Sequence, residues 1–301
     1  MSLENIYKII DNISKDENVN AIWISGGEPL IRKDIVEICK YISNKGIAPS
    51  ISTNGVLLTE KLINDLYRAG IRYIHLSLDG AKAKTHNEMR GVENAFEKLM
   101  EVMDLLKKSP INTGASFMVT EDSIGEIDDV LNLAKEKGLS VISFYLVAEL
   151  GRGAKNFNNE KKEISKKLAL KIKSIKKEEF PDLKIEVFRA DNMENTENKV
   201  LQECKGYNFL NITYDGNLGP CPWFMKSENS FNVGSLLEND FRELKQTCTD
   251  KMKKIINNRK NNISYCEDCK NHDICGKGCL ALQINSNAKL NKLDPICPRI
   301  I

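Results

Sequence analysis

The sequence predicts an α/β fold of parallel strands joined by crossover helices, followed by a cysteine-rich C-terminal segment. Three observations carry that expectation. From residue 20 to about 147, short β-rich runs alternate with segments of helical period, the pattern of a parallel sheet. Polar residues with a glycine recur at the ends of three successive strands, where α/β folds bind ligands. Eight of the nine cysteines stand between positions 204 and 297, seven of them in one spaced array, whereas the first two hundred residues hold only Cys39.

Taken in order, residues from Leu3 to about Lys15 form an amphipathic helix. Strands are expected at Ala21–Ser25, Ala48–Thr53, Tyr73–Leu78, Thr113–Val119 and Val141–Val147. Between them lie helical stretches at Lys33–Asn44, Thr59–Ala69, Val92–Lys108 and Ile124–Lys137, and Gly46, Gly70 and Gly138 stand just past the last turn of three of them. A parallel sheet normally starts with a strand and this chain starts with a helix, so the beginning of a domain is expected to be missing. After Gly151-Arg152-Gly153 come a polar stretch, one charged helix with a solvated Lys-rich face, an isolated apolar run at Leu183–Phe188 and an Asn/Glu-rich linker at 191–199. Residues 200–301 read as a hairpin (Phe209–Tyr214, a turn at Asp215-Gly216, Leu218–Pro222), a helix near Leu236–Asn258 and a loop-rich cysteine region. Such a segment buries little core by itself, so bound metal is expected to supply much of its folding energy.

Composition narrows the function classes. A chain of 301 residues builds a core without disulfide staples. The N-terminus lacks a basic flank followed by an apolar run, and no stretch approaches the ~18 apolar residues a membrane helix needs. A cytoplasmic location with reduced thiols follows as the expectation. Forty-four basic against 42 acidic residues give a net charge of +2, which carries no electrostatic footprint for nucleic acid.

The cysteines carry the chemistry. Cys266-Glu-Asp-Cys269 is a CxxC, followed after five residues by Cys275, after three by Cys279 and after seventeen by Cys297. Upstream, Cys204 and Cys221 stand at the two ends of the expected hairpin, with Gly216 between them. Short loops between thiolates let one turn present two sulfurs to a common ion or cluster. Structural zinc is the competing reading, since CxxC pairs serve zinc as readily. Cys39 and Cys248 fall outside the array and read as inert core or surface thiols.

The strand ends carry the second signal. Ser25-Gly26-Gly27-Glu28-Pro29 ends the first strand, Ser52-Thr53-Asn54-Gly55 the second and Ser77-Leu78-Asp79-Gly80 the third. Paired glycines allow a ligand to approach the backbone.

With those residues in view, the chain resembles the radical S-adenosylmethionine/SPASM family, of peptide-maturase type. The spacing of Cys204, Gly216, Cys221, Cys266, Cys269, Cys275, Cys279 and Cys297 matches the SPASM pattern at every interval. The resemblance implies an incomplete (β/α)6 partial TIM-type barrel missing its first strand over 1–155, a helical bridge and linker over 156–199 and a SPASM domain over 200–301. It implies two auxiliary [4Fe-4S] clusters, the first on Cys204, Cys221 and Cys279 and the second on Cys266, Cys269, Cys275 and Cys297. Seven thiolates leave the first cluster one ligand short, which makes an open iron site the expectation. Gly26, Gly27, Glu28 and Pro29 resemble the GGEP motif for the methionine amino group of S-adenosylmethionine. Ser52, Thr53 and Asn54 would line the ribose and carboxylate side, Ser77 and Asp79 lie on the next strand, and Arg90 would pair with the cofactor carboxylate.

The resemblance breaks at one place. The family's CxxxCxxC loop, which holds the cluster that cleaves the cofactor, has no counterpart, and residues 1–20 contain no cysteine. Catalysis is therefore expected of a full-length form rather than of these residues alone. What the family implies for that form is abstraction of substrate hydrogen by a 5′-deoxyadenosyl radical, a peptide substrate and a flavodoxin- or ferredoxin-type electron donor. The segment Cys221-Pro222-Trp223-Phe224 lacks an Asp after its cysteine, which argues against a sulfatase maturase. Asp294-Pro295-Ile296-Cys297 resembles haem-biosynthesis relatives, making oxidation of a tetrapyrrole precursor the second enzymatic expectation. A non-catalytic iron–sulfur protein that carries electrons or binds a peptide is the third.

Overall fold

Six strands, each short and rich in β-branched or aromatic residues, form one sheet whose spatial order follows the chain: β1 (Ala21–Ile24), β2 (Ala48–Thr53), β3 (Tyr73–Ser77), β4 (Asn112–Val119), β5 (Val141–Leu146) and β6 (Lys184–Phe188). Every neighbouring pair is parallel. The structure, a computed structural model, describes residues 1–146, 177–188, 210–225 and 231–262 together with positions 164, 167, 171, 174, 175 and 280. The five strands expected from residue 21 onwards are all present, and the isolated apolar run at Leu183–Phe188 supplies a sixth. Parallel pairing joins segments distant in sequence, so a lone apolar run carries no sign of the partner it adds to.

Side chains alternate across the sheet, and the two faces differ. One carries Ile51, Ile74, Leu76, Phe117, Ile142 and Phe144, all fully buried. Helices with matching apolar stripes supply the rest of this core: α2 (Ile35–Asn44) buries Ile38 and Ile42, α3 (Glu60–Arg68) Ile63 and Leu66, α5 (Ala95–Lys107) Leu99 and Met103, and α6 (Ile127–Glu136) Val130 and Leu131. The opposite face carries Ser52, Tyr73, His75, Ser77, Ser116, Ser143, Tyr145 and Glu186. Register sets Ser52 beside His75, Ser77 beside Ser116 and Ser143 beside Glu186. A sheet with one polar face and one apolar packed face can hold a ligand without sacrificing its core. α4 (Ala83–Arg90) has no sequence counterpart because it buries only His86 and so lacks an apolar stripe.

The chain divides into two compact units, Glu17–Val147 with Leu170–Arg189, and Met1–Asp16 with Ala148–Ala169 and Ala190–Ile301. The first unit holds the sheet. In the second, α1 (Leu3–Ile13) is tied to α8 (Phe241–Asn262) and to the loop before it: Asn12 Nδ2 donates to the carbonyls of Leu236 and Asn239 at 3.0 and 2.7 Å, and Phe241 N donates to Asn12 Oδ1 at 3.0 Å. Lys245 Nζ pairs with Asp16 at 2.7 Å. The expected hairpin is present but shorter, with β7 (Asn211–Ile212) antiparallel to β8 (Leu218–Gly219) and Gly216 in the turn at φ 90°. A single helical turn, α7 (Pro222–Met225), follows it. Phe224, Met252, Ile256 and Leu280 form the core here, with Cys221 packed against it. Among the described residues, no helix is long and apolar enough to cross a membrane.

Candidate functional site

The first loop at the open ends of the strands is built around one carboxylate. Gly26 sits at φ 142°, a conformation side chains rarely adopt, and sends the chain from β1 into Glu28. Glu28 Oε1 accepts from Leu30 N at 3.1 Å and from the Thr53 hydroxyl at 2.7 Å, while Oε2 accepts from Asn54 N at 2.8 Å. Glu28 thus caps the turn beginning at Pro29 and clamps the β1 loop to the end of β2. Thr53 is buried, and its oxygen also accepts from Gly55 N at 3.0 Å. A β-carbon added at Gly26 or Gly27 would meet no atom within 4 Å, so both face open space. Ser52 points to the polar face, where its oxygen accepts from Trp23 Nε1 at 2.5 Å.

The β3 end is braced from three sides. Asp79 is buried, its amide donates to His86 Nδ1 at 3.2 Å, and its Oδ2 lies 2.6 Å from Arg90 Nη2. Burial raises the Asp79 pKa above the usual carboxylate value, and the Arg90 charge and a backbone hydrogen bond from Met118 pull it back. Gly80 is required by the tight turn, since a β-carbon there would lie 2.6 Å from His86 N. Glu126, buried at the start of α6, accepts from Ala81 N at 2.7 Å and from the Thr85 hydroxyl at 2.5 Å, holding the N-terminus of α4. Gly91, at φ 66°, ends α4 just past Arg90.

This arrangement answers whether a ligand carboxylate fits. Arg90 Nε is buried and has no hydrogen-bond partner among the described residues, although a guanidinium presents its donors as a planar fork. Asp79 occupies one side of that fork, and a carboxylate arriving at the strand ends would satisfy Nε. The donor set and its orphaned atom suit the amino-acid end of S-adenosylmethionine.

The structure brings Glu28, Thr53 and Asn54 into one hydrogen-bonded group and Asp79 and Arg90 into another. Ser52 and Ser77 lie on the polar face between strand centres and ends. Sequence reading missed Glu126, His86 and the Tyr73–His75 pair, whose Oη and Nδ1 are 3.0 Å apart beneath the exposed Trp23. Alternation marks Tyr73, His75 and Ser77 as one face of a strand, and that was the available signal. Nothing local singles out Glu126, which acts on a loop 45 residues away.

Of the cysteine array, Cys221 is described, between β8 and α7. Cys204, Cys266, Cys269, Cys275, Cys279 and Cys297 lie outside the described residues. Cys39 is fully buried in α2, and burial pushes its thiol up to about 12. Cys248 on α8 is also fully buried, with its thiol pushed up to about 11 by burial foremost. Lys251 lowers it, and Cys221 lies near enough for a charge there to raise it.

A model of the radical SAM superfamily matches residues 1–134, and a model of the SPASM iron–sulfur cluster-binding domain matches residues 204–270. A probable GTP 3′,8-cyclase of Methanococcus vannielii is 32% identical over 254 residues, 80% of each chain. An AdoMet-dependent heme synthase of Methanosarcina barkeri is 35% identical over 130 residues, 43% of this chain and 37% of that protein. The chain spans about two fifths of the length of the first curated relatives it matches. Among solved structures, Streptococcus suis SuiB bound to S-adenosylmethionine superposes with a TM-score of 0.77 at 18% identity, over 98% of this chain and 70% of that one. SuiB bound to its precursor peptide SuiA gives 0.77 at 19% identity, over 98% and 69%.

Proposed function

The chain belongs to the radical SAM superfamily and carries a SPASM iron–sulfur cluster-binding domain, and from that premise we propose that it takes part in the oxidative maturation of a ribosomally made peptide, such as thioether crosslinking. The family's cofactors are S-adenosylmethionine and iron–sulfur clusters. Bound together at reducing potential, they supply hydrogen-atom abstraction from a substrate. The chain's own contribution is placement. Arg90, steadied by Asp79, offers Nε to the cofactor carboxylate, and Glu28 sets the loop whose Gly26 and Gly27 backbone meets the amino group. Ser52, Thr53, Asn54 and Ser77 line the remaining approach, and the polar sheet face receives the substrate. The cysteine-rich domain holds two auxiliary clusters, and a flavodoxin- or ferredoxin-type protein serves as electron donor.

The observation that carries the peptide reading is fold agreement with SuiB across nearly the whole chain, both the sheet unit and the cysteine-rich unit. A tetrapyrrole-precursor reading is favoured by the 35% identity to a heme synthase, which is confined to 130 residues. One experiment separates them. The anaerobically reconstituted full-length protein is incubated with S-adenosylmethionine, reductant and either a candidate precursor peptide translated from the short reading frames flanking its gene or an iron-coproporphyrin. Loss of two hydrogens from the peptide supports maturation, and conversion of the tetrapyrrole alone overturns it. Reconstitution of these 301 residues alone tests the metal: a brown protein with about eight irons per chain is expected from two four-iron clusters, and a colourless protein holding zinc would remove the cluster assignment.

A further inference from the structure

The polar face of the sheet carries a group of side chains that cofactor placement does not use. Tyr73 and His75 are neighbours on that face of β3, and Tyr73 Oη stands 3.0 Å from His75 Nδ1. Room for the hydroxyl comes from β4. His75 pairs in register with Gly114, and a β-carbon at that glycine would collide with the Tyr73 hydroxyl and lie 3.2 Å from His75 Nδ1. Glycine weakens a strand interior, so β4 forgoes a side chain at the place where a hydroxyl is seated beside an imidazole. Trp23 of β1 closes the other side. Its Nε1 donates to Ser52 Oγ at 2.5 Å, and its ring meets those of Tyr73 and His75 at a steep angle, 5.5 and 5.7 Å between centroids.

This group lies beside the ligand loops. Ser77 follows His75 on the same face, about 7 Å along the strand, and Asp79 comes just beyond it. Across the sheet, Ser143 Oγ donates to Glu186 Oε2 at 3.0 Å, and Lys184 pairs with the other carboxylate oxygen at 2.6 Å. His75 is half-buried, so its ring is neither sealed in the core nor bathed in water. The titratable groups on its face are Tyr73, Tyr145, Lys184 and Glu186, from β3, β5 and β6. Trp23, Ser52 and Gly114, its neighbours on β1, β2 and β4, do not titrate. Burial holds the His75 pKa below 6.5, against an upward pull from the Glu186 charge, so the ring is neutral at pH 7 and able to accept a proton. A packing role at this position needs only a ring, as Phe117 and Phe144 supply on the opposite face. It asks for no hydroxyl at Nδ1 and no glycine across the strand.

We propose that His75 is a further catalytic residue, the base that takes the proton leaving the substrate in the oxidative step, and that Tyr73 is its positioning residue. This rests on the peptide-maturation reading. In the resting ring Nδ1–H donates to Tyr73 Oη, which leaves the Nε2 lone pair to accept. Thioether formation removes two hydrogens from the substrate. One leaves carbon as a hydrogen atom, taken by the bound cofactors. The thiol S–H bond then breaks as the C–S bond forms, the proton passes to Nε2 and one electron passes to an iron–sulfur cluster. Nδ1 keeps its bond to Tyr73 throughout, so the ring charges without turning.

The test uses the reconstituted full-length protein as wild type, His75→Asn, His75→Ala and Tyr73→Phe, with S-adenosylmethionine, reductant and the candidate precursor peptide. Released 5′-deoxyadenosine and crosslinked peptide are counted separately from about pH 5 to 8, bracketing the ordinary histidine value. Asn offers an amide N–H in place of Nδ1–H and has no base in place of Nε2. In His75→Asn 5′-deoxyadenosine should still form, because hydrogen-atom removal precedes the proton step, while crosslinked peptide per 5′-deoxyadenosine falls about a hundredfold. Wild-type crosslinking should rise with pH below 6.5 and level off above it, a limb that His75→Asn lacks and Tyr73→Phe retains at a lower rate. Circular dichroism checks folding, and added imidazole should restore crosslinking to His75→Ala, which a merely structural histidine would not allow. The wild-type product ratio and pH limb in His75→Asn would overturn the assignment of His75 while leaving peptide maturation standing. A wild type that converts the tetrapyrrole and crosslinks no peptide would overturn the maturation reading, and this proposal with it.

Discussion

Arg90 Nη2 stands 2.6 Å from Asp79 Oδ2, while Nε of the same guanidinium is buried with no partner among the described residues. The pair spans a helix: Asp79 follows β3, Arg90 ends α4, and His86 between them accepts a hydrogen bond from the Asp79 amide. An arginine held on one side and unsatisfied on the other is positioned for a second carboxylate.

Replacing Arg90 by Lys keeps the charge and removes the fork. A lysine ammonium pairing with Asp79 has no second planar donor at the Nε position. Affinity for S-adenosylmethionine should fall at least about tenfold, roughly 1.4 kcal/mol, by anaerobic calorimetry. Equal dissociation constants for wild type and variant would show that the cofactor carboxylate goes elsewhere.

Glu28 should matter to folding as well as to binding. Its two oxygens accept three hydrogen bonds from two segments. Glu28→Gln turns one acceptor into a donor facing either Asn54 N or the Leu30 and Thr53 donors. An unsatisfied group of this kind costs about 1–3 kcal/mol, read as a lower urea midpoint. Thr53→Val, which removes one donor to Glu28 and the acceptor for Gly55, should cost about 1 kcal/mol. An unchanged midpoint in Glu28→Gln would mean the clamp contributes nothing to stability.

How much of this was legible in the sequence follows from the range of each interaction. β1 to β5 were visible because alternation and flanking glycines are local. β6 reads only as an isolated apolar run, since its strand character depends on pairing with β5 across the intervening chain. The strand-end residues were found by recurrence of Ser, Asn, Asp and Gly at the same place in successive repeats. Their division of labour is not local: Glu28 stands in the motif that resembles the one for the methionine amino group, and in the fold its carboxylate clamps its own neighbours. Glu126 and His86 were missed because a buried acid bracing a distant helix, and a histidine accepting one amide, have no spacing rule.

Gly114 shows a tertiary requirement inside a strand, where glycine is otherwise costly. A β-carbon there would collide with the Tyr73 hydroxyl and lie 3.0 Å from Tyr73 Cζ and 3.2 Å from His75 Nδ1. Gly114→Ala should push Tyr73 off His75 and cost about 1–3 kcal/mol as overpacking. In Gly114→Ala/Tyr73→Phe the colliding oxygen is gone, so the double variant should be more stable than the sum of the single effects predicts. Strict additivity in urea unfolding would show that the tyrosine does not lie over Gly114.

His86 supplies the pH dependence. Burial foremost, then the charge of Arg90, pushes its pKa from 6.5 down to about 4, against a smaller upward pull from Glu97. The neutral ring is also the form whose Nδ1 can accept from the Asp79 amide. With the folded value below the unfolded one, the unfolded chain binds the proton first as pH falls. The His86 contribution to stability is therefore complete above pH 6.5, declines from there to about 4 and levels off below. Its full span is about 3 kcal/mol at most. Asp79 works in the opposite sense, because its raised carboxyl value gives stability that is lost as pH rises, so the raw acid limb understates His86. Comparison with His86→Asn isolates the histidine, since the amide oxygen can accept from Asp79 N yet does not titrate. The stability difference between wild type and His86→Asn should shrink steadily from pH 7 to pH 4 in urea unfolding. A difference that stays constant over that interval would mean that His86 titrates alike in the folded and unfolded chains.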